Sequence, residues 1–484
     1  MAPIERPAIE PLRPAFRQTY HSPEQLDRLK QATLDILETV GVQFQSDKAL
    51  ALLADHGVRV DKASQVAKFP ADLVLDAMSR APRRFGLGAR AESCAIEVGD
   101  GNTYATTDGC GVELIDFATR ERRKSTKADL ADVTRIQDYL SSIAFWWPTL
   151  SAGDCGESAQ LHELDAGWNN TVKHLQGMVN GEREARYAVE MATVIAGGPQ
   201  ELRRRPVMSD LIGTISPLVV DKDGIEAALV FAEAGVPVTF VTMPTLGTTA
   251  PATRAGAYVL GAAELVAASV LLQLVHPGAP VLHSIMQSYA DPRSGGFVSF
   301  PLDTRCRFLA TELAHHWGVP SEAACCGTDA KQAGSWQAGV EDGMDLVQAA
   351  WEGTDLMPSI GLINVYTLFC PEDIILGHDI YERARYALLD LDMDDEALAL
   401  EAIADVGPGG HFLGHKHTRR HMRQACVPAI THQTAEDGSF RDPIEVAREQ
   451  AEWIWREYRP EPLEADKAAE LTKILAAADA ELRA

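Results

Sequence analysis

The chain has 484 residues and a hydrophobic content of 46%, which is enough to bury a substantial core and gives no reason to expect disorder. Lys and Arg total 44 against 69 Asp and Glu, so the formal net charge is −25. Binding to nucleic acid requires clustered cations, and this balance argues against it.

Residues 1–92 have the pattern of a helical N-terminal region. Ser22 is followed by a proline and, three residues on, by Gln25, which is the arrangement of a capping box at a helix start. An apolar stripe follows, and Gly41 stands where a glycine is expected to end the helix. Two further helices are predicted over 48–56 and 71–80.

Residues 93–125 predict a β-hairpin segment. Alternating Val, Ile and Tyr residues are interrupted at 99–102 and at Asp108-Gly109, and both interruptions are turn signals. Thr126 then precedes apolar residues at helical spacing, so we expect it to cap a helix.

Eight short apolar runs, mostly separated by helical stretches, dominate residues 126–400. This number of alternating strand and helix units is typical of a parallel barrel with helices on its outside. The predicted barrel strands are 143–149, 174–179, 207–213, 237–243, 281–286, 297–300, 323–327 and 356–362. Residues 401–484 are expected to form a glycine-rich turn and a helical C-terminal extension. The predicted class is α/β, a TIM-type (β/α)8 barrel with additions at both ends.

The cysteines and the N-terminus favour a cytoplasmic location. The eight cysteines show no Cys-x-x-Cys spacing, and no basic region is followed by an apolar one at the start. Residues 255–275 are long enough to cross a membrane, but Glu264 lies near their middle, so we expect a helix packed on the barrel and no membrane contact.

Two segments, 246–256 and 405–418, match a known family. The first reads Leu-Gly-Thr-Thr-Ala-Pro-Ala-Thr-Arg-Ala-Gly, and the second reads Asp-Val-Gly-Pro-Gly-Gly-His-Phe-Leu-Gly-His-Lys-His-Thr. Supporting motifs lie at 216–218, 263–265, 277–281, 327–331 and 337–341. On these residues the chain resembles the trimethylamine methyltransferase family, from its N-terminal helices to about residue 433.

The resemblance implies a TIM-type barrel that moves a methyl group from a methylated amine to the cobalt of a partner corrinoid-binding protein. The cobalamin or other corrinoid belongs to that partner, and this chain is expected to bind no cofactor permanently. Archaeal members of the family carry pyrrolysine near the segment that corresponds to 327–337, whereas this chain has only the twenty standard residues. It is therefore similar to the branch that demethylates quaternary amines such as glycine betaine.

Chemistry agrees with a quaternary amine as the small-molecule substrate. Loss of a methyl group from a quaternary nitrogen leaves a neutral tertiary amine, so neither a covalent adduct nor a general acid is needed. The site then needs a water-poor pocket, a wall that tolerates a cation, and an open line from the methyl carbon to the cobalt.

Four polar residues after the predicted seventh strand form the best catalytic prediction. Barrel enzymes carry their chemistry at the carboxyl ends of the strands, and these residues are also in the region of the family's special residue. They are Asp329, Lys331, Gln337 and Glu341. Asp329 could face a cationic nitrogen, while Lys331 or Gln337 could bind a carboxylate. A salt-bridged loop at a helix start is the alternative.

Aromatic rings near strand ends supply the predicted wall, because their negative faces hold a trimethylammonium group. The candidates are Trp146, Trp147, Tyr366 and Phe369, and ordinary core packing is the alternative for each. Adjacent residues on a strand point to opposite faces, so only one of Trp146 and Trp147 can face the barrel interior. The polar candidates for substrate binding are His174, Gln176 and His283, with Gln287 and Ser299 beyond other strands.

The tail contains His411, His415, His417 and His421, and the last two have the i, i+4 spacing of one helix face. No carboxylate or thiol set completes a ligand shell, so we expect no metal and a glycine-rich turn that fixes the tail. A homo-oligomer is expected. Two other functions stay open: a hydrolase or lyase using Asp329, Glu341 and a histidine, and a betaine-binding protein without methyl transfer.

Overall fold

The computed structural model describes residues 4–299, 304–323, 327–422 and 429–482, with the side chains of 304–307 left out. Eight parallel segments close into a barrel. In chain order they are Tyr104–Thr107, Phe145–Trp146, His174–Gly177, Met208–Gly213, Val238–Thr242, Val281–Ile285, residues 321–322 and Leu356–Ile360. We number these barrel strands one to eight.

Hydrogen bonds link every neighbouring pair of barrel strands. Strands two to six pair in parallel in chain order, with registers such as Gly177 opposite Asp210 and Val238 opposite Val281. The seventh consists of two bridges, at Ser321 and at Glu322, that join strands six and eight. Strand eight pairs in parallel with strand one. The N–H of Ala144, just before strand two, donates to the carbonyl of Ala105 in strand one, so the sheet has no open edge.

The structure differs from the predicted strand list in three places. The first barrel strand, Tyr104–Thr107, lies inside the segment that was assigned to a hairpin. The predicted sixth strand is no part of the barrel, because Phe297–Val298 pairs antiparallel with Ser288–Ala290 in an outer three-stranded sheet, and residue 300 lies outside the described residues. In the predicted seventh strand, 323–327, residues 324–326 are also outside the described part. The residues that pair with the neighbouring barrel strands are Ser321 and Glu322, just before this predicted strand.

Seventeen α-helices are described. They are α1 (Pro23–Thr39), α2 (Asp47–Asp55), α3 (Ala71–Met78), α4 (Lys127–Tyr139), α5 (Ala159–Asn170), α6 (Glu182–Ala196), α7 (Pro199–Arg204), α8 (Lys222–Ala234), α9 (Arg254–Val275), α10 (Thr304–Trp317), α11 (Trp336–Glu352), α12 (Pro371–Ala387), α13 (Asp395–Leu398), α14 (Leu400–Val406), α15 (Lys416–His421), α16 (Pro443–Glu457) and α17 (Ala465–Leu482). The capping boxes predicted at Ser22 and Thr126 are present at the starts of α1 and α4.

Short strands outside the barrel build four small sheets. Their members are Val42–Phe44, Arg59–Asp61, Val66–Lys68 and Val219–Val220; Phe85–Leu87 and Ile96–Val98; Thr245–Leu246 with the two outer strands named above; and Glu113–Ile115, Arg122–Lys124, Leu362–Ile363 and Leu368–Phe369. Two short 3-10 helices cover Glu92–Cys94 and Gly156–Ser158.

The N-terminal extension closes one end of the barrel. Leu87 and Val98 of its hairpin cluster with Phe145, Leu282 and Leu356, which stand at or near the starts of barrel strands. Burying these side chains seals the amino-terminal end with apolar contacts. Any ligand must therefore enter at the opposite, carboxyl end.

Helix α9 is long and apolar enough to cross a membrane, yet 78% of its apolar window is buried within the protein. The Glu264 carboxylate on this helix is fully buried and accepts four hydrogen bonds. Its donors are the hydroxyls of Thr214, Ser216 and Thr242 and the backbone N–H of Leu218. A buried carboxylate is tolerated when its lone pairs are satisfied in this way, so α9 fastens the loop that follows strand four and the end of strand five.

The C-terminal region divides into a packed part and a projecting part. Helices α16 and α17 pack against α12 and α6. Residues 389–422, which we call the arm, contain α13, α14 and α15, and Ala402 is the only buried residue in these three helices. The arm contains the second family-like segment.

Candidate active site

The barrel interior has an apolar floor, a polar middle and an apolar top. Gln176, Thr239 and Glu322 are buried, and their side chains contact one another from strands three, five and seven. These strands are not neighbours, so the three side chains must meet inside the barrel. Val241 lies two residues further along strand five and Met178 lies just beyond the end of strand three, both toward the open end and about 7 Å from the polar layer by strand geometry.

The Glu322 carboxyl is the central polar group. Its Oε2 accepts hydrogen bonds from the Thr239 hydroxyl at 2.6 Å and from the Gln176 amide at 2.8 Å. Burial raises the pKa of Glu322 to about 7, although these two hydrogen bonds act to lower it. Oε1 of Glu322 and Oε1 of Gln176 have no hydrogen-bond partner among the described residues. Two acceptor atoms are therefore available inside the barrel.

Trp147 forms the roof of this interior with Leu211 and Val241, and Met178 and Met286 pack beside it. Trp147 is buried, and its Nε1–H donates to no partner among the described residues. Trp146 points the other way, because its Nε1–H donates to the Thr134 hydroxyl of α4 at 2.9 Å. Of the two adjacent rings, Trp147 faces the interior and Trp146 packs outside the barrel.

Asp329 and Glu341 lie close together at the open end after strand seven. Asp329 accepts hydrogen bonds from the backbone and the hydroxyl of Ser299, at 3.1 and 2.5 Å. Glu341 accepts hydrogen bonds from the Thr328 hydroxyl, the Asp329 N–H and the Gln337 amide. Burial raises the pKa of Asp329, the Ser299 bonds lower it, and the Glu341 charge raises it further. These contacts also organise the loop at the start of α11.

A close backbone approach explains the glycine before this loop. The Gly327 N–H donates to Oδ2 of Asp108, which follows the first strand, at 2.7 Å. A Cβ at this position would collide with the same carboxylate and with the carbonyl of Leu362. The loop after strand seven is therefore held against the ends of strands eight and one.

Three successive residues after strand eight adopt left-handed backbone conformations. Asn364, Val365 and Tyr366 have φ values of 56°, 56° and 58°. The Asn364 N–H donates to the carbonyl of Ala330 at 2.7 Å, and the Val365 N–H donates to the carbonyl of Thr328 at 3.3 Å. This conformation is costly for a β-branched residue and clusters at functional sites in proteins. The turn fixes Tyr366, which is half-buried, beside the loop that contains Asp329.

Further acids lie between α11 and α12. Burial raises the pKa of Asp342, and the nearby Asp373 raises it further. Burial followed by the Glu372 charge raises the pKa of Asp373 to about 7. Asp373 is therefore partly protonated near neutral pH, so this sector carries less negative charge than its composition indicates.

Four of the predicted site residues lie either away from the open end of the barrel or outside the barrel interior. His174 begins strand three and contacts the carbonyl of Gly88 at the closed end, and burial lowers its pKa to about 4. His283 points outward to Ser269 of α9, and burial lowers its pKa to about 3. Phe369 is fully buried in an outer sheet. Lys331 is exposed at the loop surface.

The structure brings in residues that sequence reasoning missed. Glu322 precedes the apolar run predicted as strand seven, Thr239 lies within the predicted strand 237–243, and neither is among the predicted site residues. A charged residue directly before a buried strand is the signal that could have identified Glu322. In the tail, Glu396 supplies the carboxylate that the sequence did not reveal, because it lies near His417 and His421 only after folding.

A family model for "Trimethylamine methyltransferase (MTTB)" matches residues 5–482. The chain belongs to the trimethylamine methyltransferase family. Its membership makes it an enzyme of the methyltransferase class.

Two curated relatives from Desulfitobacterium hafniense are similar over nearly their whole lengths. The chain is 30% identical to a trimethylamine methyltransferase over 94% of its own length and 92% of the relative's. It is 28% identical to a glycine betaine methyltransferase, with 94% of this chain and 95% of the relative covered. A trimethylamine methyltransferase of Methanosarcina barkeri is also 28% identical, over 95% of both chains.

Proposed function

We propose that this enzyme transfers a methyl group from a quaternary amine of the glycine betaine type to a corrinoid carried by a partner protein. Family membership and the two Desulfitobacterium relatives support the reaction class. The observation that carries the substrate proposal is that an inward indole ring, Trp147, and a buried carboxyl, Glu322, lie in the same barrel interior.

The indole ring and the carboxyl meet two different requirements for binding the same cation. A trimethylammonium group has no N–H to donate, so it is recognised by ring faces and by negative charge. Trp147 offers the ring and the sulfurs of Met178 and Met286 offer polarisable neighbours, while Glu322 supplies the charge about one layer below. The Nε1–H of Trp147, which has no partner in the part of the chain that the structure describes, is available to the polar remainder of the substrate.

Binding a permanent cation also determines the protonation state of Glu322. With a pKa of about 7, the empty site holds this carboxyl partly protonated. A positive charge nearby favours the ionised form, so substrate binding releases a proton. The charge that this enzyme provides is therefore created mainly when the substrate is present.

The open end offers an apolar rim for a partner. Ile215, Met243 and Trp336 follow strands four, five and seven and are 51%, 53% and 83% exposed. A corrinoid on its carrier protein supplies the reduced cobalt that accepts the methyl group. Because the amino-terminal end is sealed, the carrier must approach over this rim, and apolar side chains there suit a protein contact.

An assay tests the proposal directly. Methyl transfer to reduced cobalamin is measured by absorbance with glycine betaine, carnitine, choline or proline betaine as the donor. Transfer from at least one of them is expected. If none of these donors supports transfer, the proposed substrate class is wrong, and binding of a quaternary amine without turnover would indicate a binding protein.

We also propose that a second copy of the chain covers the arm. Nine large hydrophobic side chains of the arm are exposed, with Leu413 the most open at 83%. Residues 390–405 contain seven acidic side chains, whereas α15 contains Lys416 and Arg419, beside an Arg420 that pairs with Glu396 of its own chain. In a two-fold pair the acidic part of one arm can contact the basic part of the other. Light scattering should then give a multimer that Leu413→Glu weakens.

A further inference from the structure

Three side chains with metal-ligating atoms meet in the arm, far along the chain from the barrel strands. They are Glu396 of α13 and His417 and His421 of α15, and their ligand atoms all lie within 4.8 Å of one another. His421 Nε2 is 3.2 Å from Glu396 Oε1, and the two imidazole rings have centroids 4.3 Å apart. Both histidines project from one helix face, since they are four residues apart.

We propose that Glu396, His417 and His421 bind a divalent transition-metal ion, with Zn²⁺ as the best match. Two imidazole nitrogens and one carboxylate oxygen form a mixed nitrogen and oxygen donor set that Zn²⁺ accepts. Zinc sites with three protein ligands keep a fourth position for water. The composition of this set therefore selects a borderline cation over Mg²⁺ or Ca²⁺, which prefer oxygen ligands only.

A cavity beside the cluster leaves space for that fourth ligand. Its volume is about 420 Å³, and Glu396 and His417 are among its lining residues. His415 and Asp405 line the same cavity, with His415 Nε2 3.6 Å from Asp405 Oδ2. These groups can accept or donate hydrogen bonds to a metal-bound water and hold it in place.

The arm helices need a fastening of this kind. Neither α13 nor α15 has a buried residue, so little apolar contact holds one helix against the other. An ion bound from both helices joins two parts of the chain about twenty residues apart. Its binding free energy then stabilises the folded arm directly.

Arg420 is the group that competes with the ion. Its guanidinium pairs with the same Glu396 oxygen that faces His421. His417 Nε2 contacts the Glu396 carbonyl at 3.1 Å, and this contact must also be exchanged for the ion. A metal ion replaces the guanidinium on Glu396, so removing the Arg420 charge should tighten binding. At about 4 Å in a partly solvated site, one charge is worth roughly tenfold in affinity.

Calorimetric titration of the chelator-treated full-length protein with Zn²⁺ tests the site. One ion per chain is expected. His417→Ala and His421→Ala should each weaken Zn²⁺ binding by more than about 100-fold, which exceeds the usual effect of losing a residue that only hydrogen-bonds to a metal ligand. His411→Ala removes an exposed tail histidine outside the cluster and is the matched control. Equal Zn²⁺ affinity in the wild type and in a variant lacking both His417 and His421 overturns the proposal.

Two further readouts distinguish a built site from surface binding. Arg420→Gln should bind Zn²⁺ about tenfold more tightly, whereas a weaker affinity would contradict the arrangement. Amide hydrogen exchange over 395–421 should slow when Zn²⁺ is added to the wild type and stay unchanged in His421→Ala. Unchanged exchange in the wild type at saturating Zn²⁺ would show that the ion does not join the two helices.

Discussion

The hydroxyl of Thr239 donates a hydrogen bond to Glu322 across the barrel interior, at 2.6 Å, and leaves the other carboxylate oxygen of Glu322 without a partner among the described residues. Strands five and seven are not neighbours, so this bond spans the lumen. A carboxyl held in this way has a fixed direction and a spare acceptor. Both properties are useful for binding a cation that cannot donate a hydrogen bond.

The affinity for a quaternary amine should depend on pH through Glu322. The pKa of this carboxyl in the empty enzyme is about 7, and only its ionised form attracts the cation. KM should therefore fall about tenfold between pH 6 and pH 8. Steady-state kinetics across this range check the prediction. Glu322→Gln should abolish the dependence, and Glu163→Gln, which removes another buried carboxyl with a pKa of about 7, should leave it intact.

The same carboxyl should reduce stability at high pH. Its folded-state pKa lies above its unfolded value, so its protonated form favours folding below about pH 4.5 and that stability is lost as the pH rises to about 7. Ionising it in the empty barrel costs on the order of 3 kcal/mol. Thermal unfolding of Glu322→Gln should show a larger gain in Tm over the wild type at pH 8 than at pH 5. An equal gain at both pH values would contradict the raised pKa.

The two adjacent tryptophans should separate binding from stability. Trp147→Leu removes the inward ring and should raise KM for a quaternary amine by roughly 5- to 30-fold, which corresponds to about 1–2 kcal/mol. Trp146→Phe should leave KM unchanged and lower the unfolding free energy by about 1–3 kcal/mol, because the bond to Thr134 is lost and the smaller ring leaves a void in the core. Kinetics and denaturant titration of both variants measure the contrast. A larger KM effect at Trp146 would reverse the assignment of the two rings.

The left-handed turn after strand eight should respond to glycine. Val365 is β-branched at φ 56°, so Val365→Gly is expected to raise the unfolding free energy by about 1 kcal/mol. Gly361→Ala is the opposite control, since this glycine has φ 99° and a Cβ would lie 3.3 Å from Ile374. Urea titration should show stabilisation in the first variant and loss in the second. A loss in both would mean that the Val365 side chain contributes more than its backbone costs.

The apolar rim should matter for the carrier protein and not for the amine. Met243→Glu places a charge on an exposed methionine after strand five, and it should raise KM for a corrinoid protein several-fold. Leu75→Glu changes an exposed leucine of α3 and should have no effect. Varying the corrinoid protein at saturating amine gives the comparison. An unchanged KM in Met243→Glu would remove this methionine from the docking surface.

Most of the barrel follows from the sequence because strands two to five and strands six and eight lie in short segments rich in apolar residues and separated by helical stretches. The exceptions have physical causes. Tyr104–Thr107 contains two threonines and lies between two turn signals, so its pattern of polar and apolar residues resembles that of a hairpin strand facing solvent. Residues 321–322 make only two bridges, which is too short for a periodic signal. The family resemblance gave the barrel but not the strand positions.

The site was harder to predict than the fold. Strand-end position identified Trp147, Gln176, Asp329 and Glu341, all of which lie inside the barrel or at its open end. It also selected His174 and His283, because a strand pattern does not tell which end or which face carries the polar atom. Glu322 makes its contacts across the barrel lumen, and Glu396 meets His417 and His421, which lie more than twenty residues later in the chain. Local sequence does not contain that information.

Glu264 determines which parts of this enzyme can be altered for new substrates. One carboxylate collects three donors from the loop after strand four and one from Thr242, the last residue of strand five, so remodelling that loop deprives a fully buried carboxylate of most of its partners. Libraries that diversify the loop after strand four should yield mostly unfolded protein. Among the described residues, the loop after strand five gives this carboxylate no donor, so diversity placed in that loop is the better starting point for directed evolution.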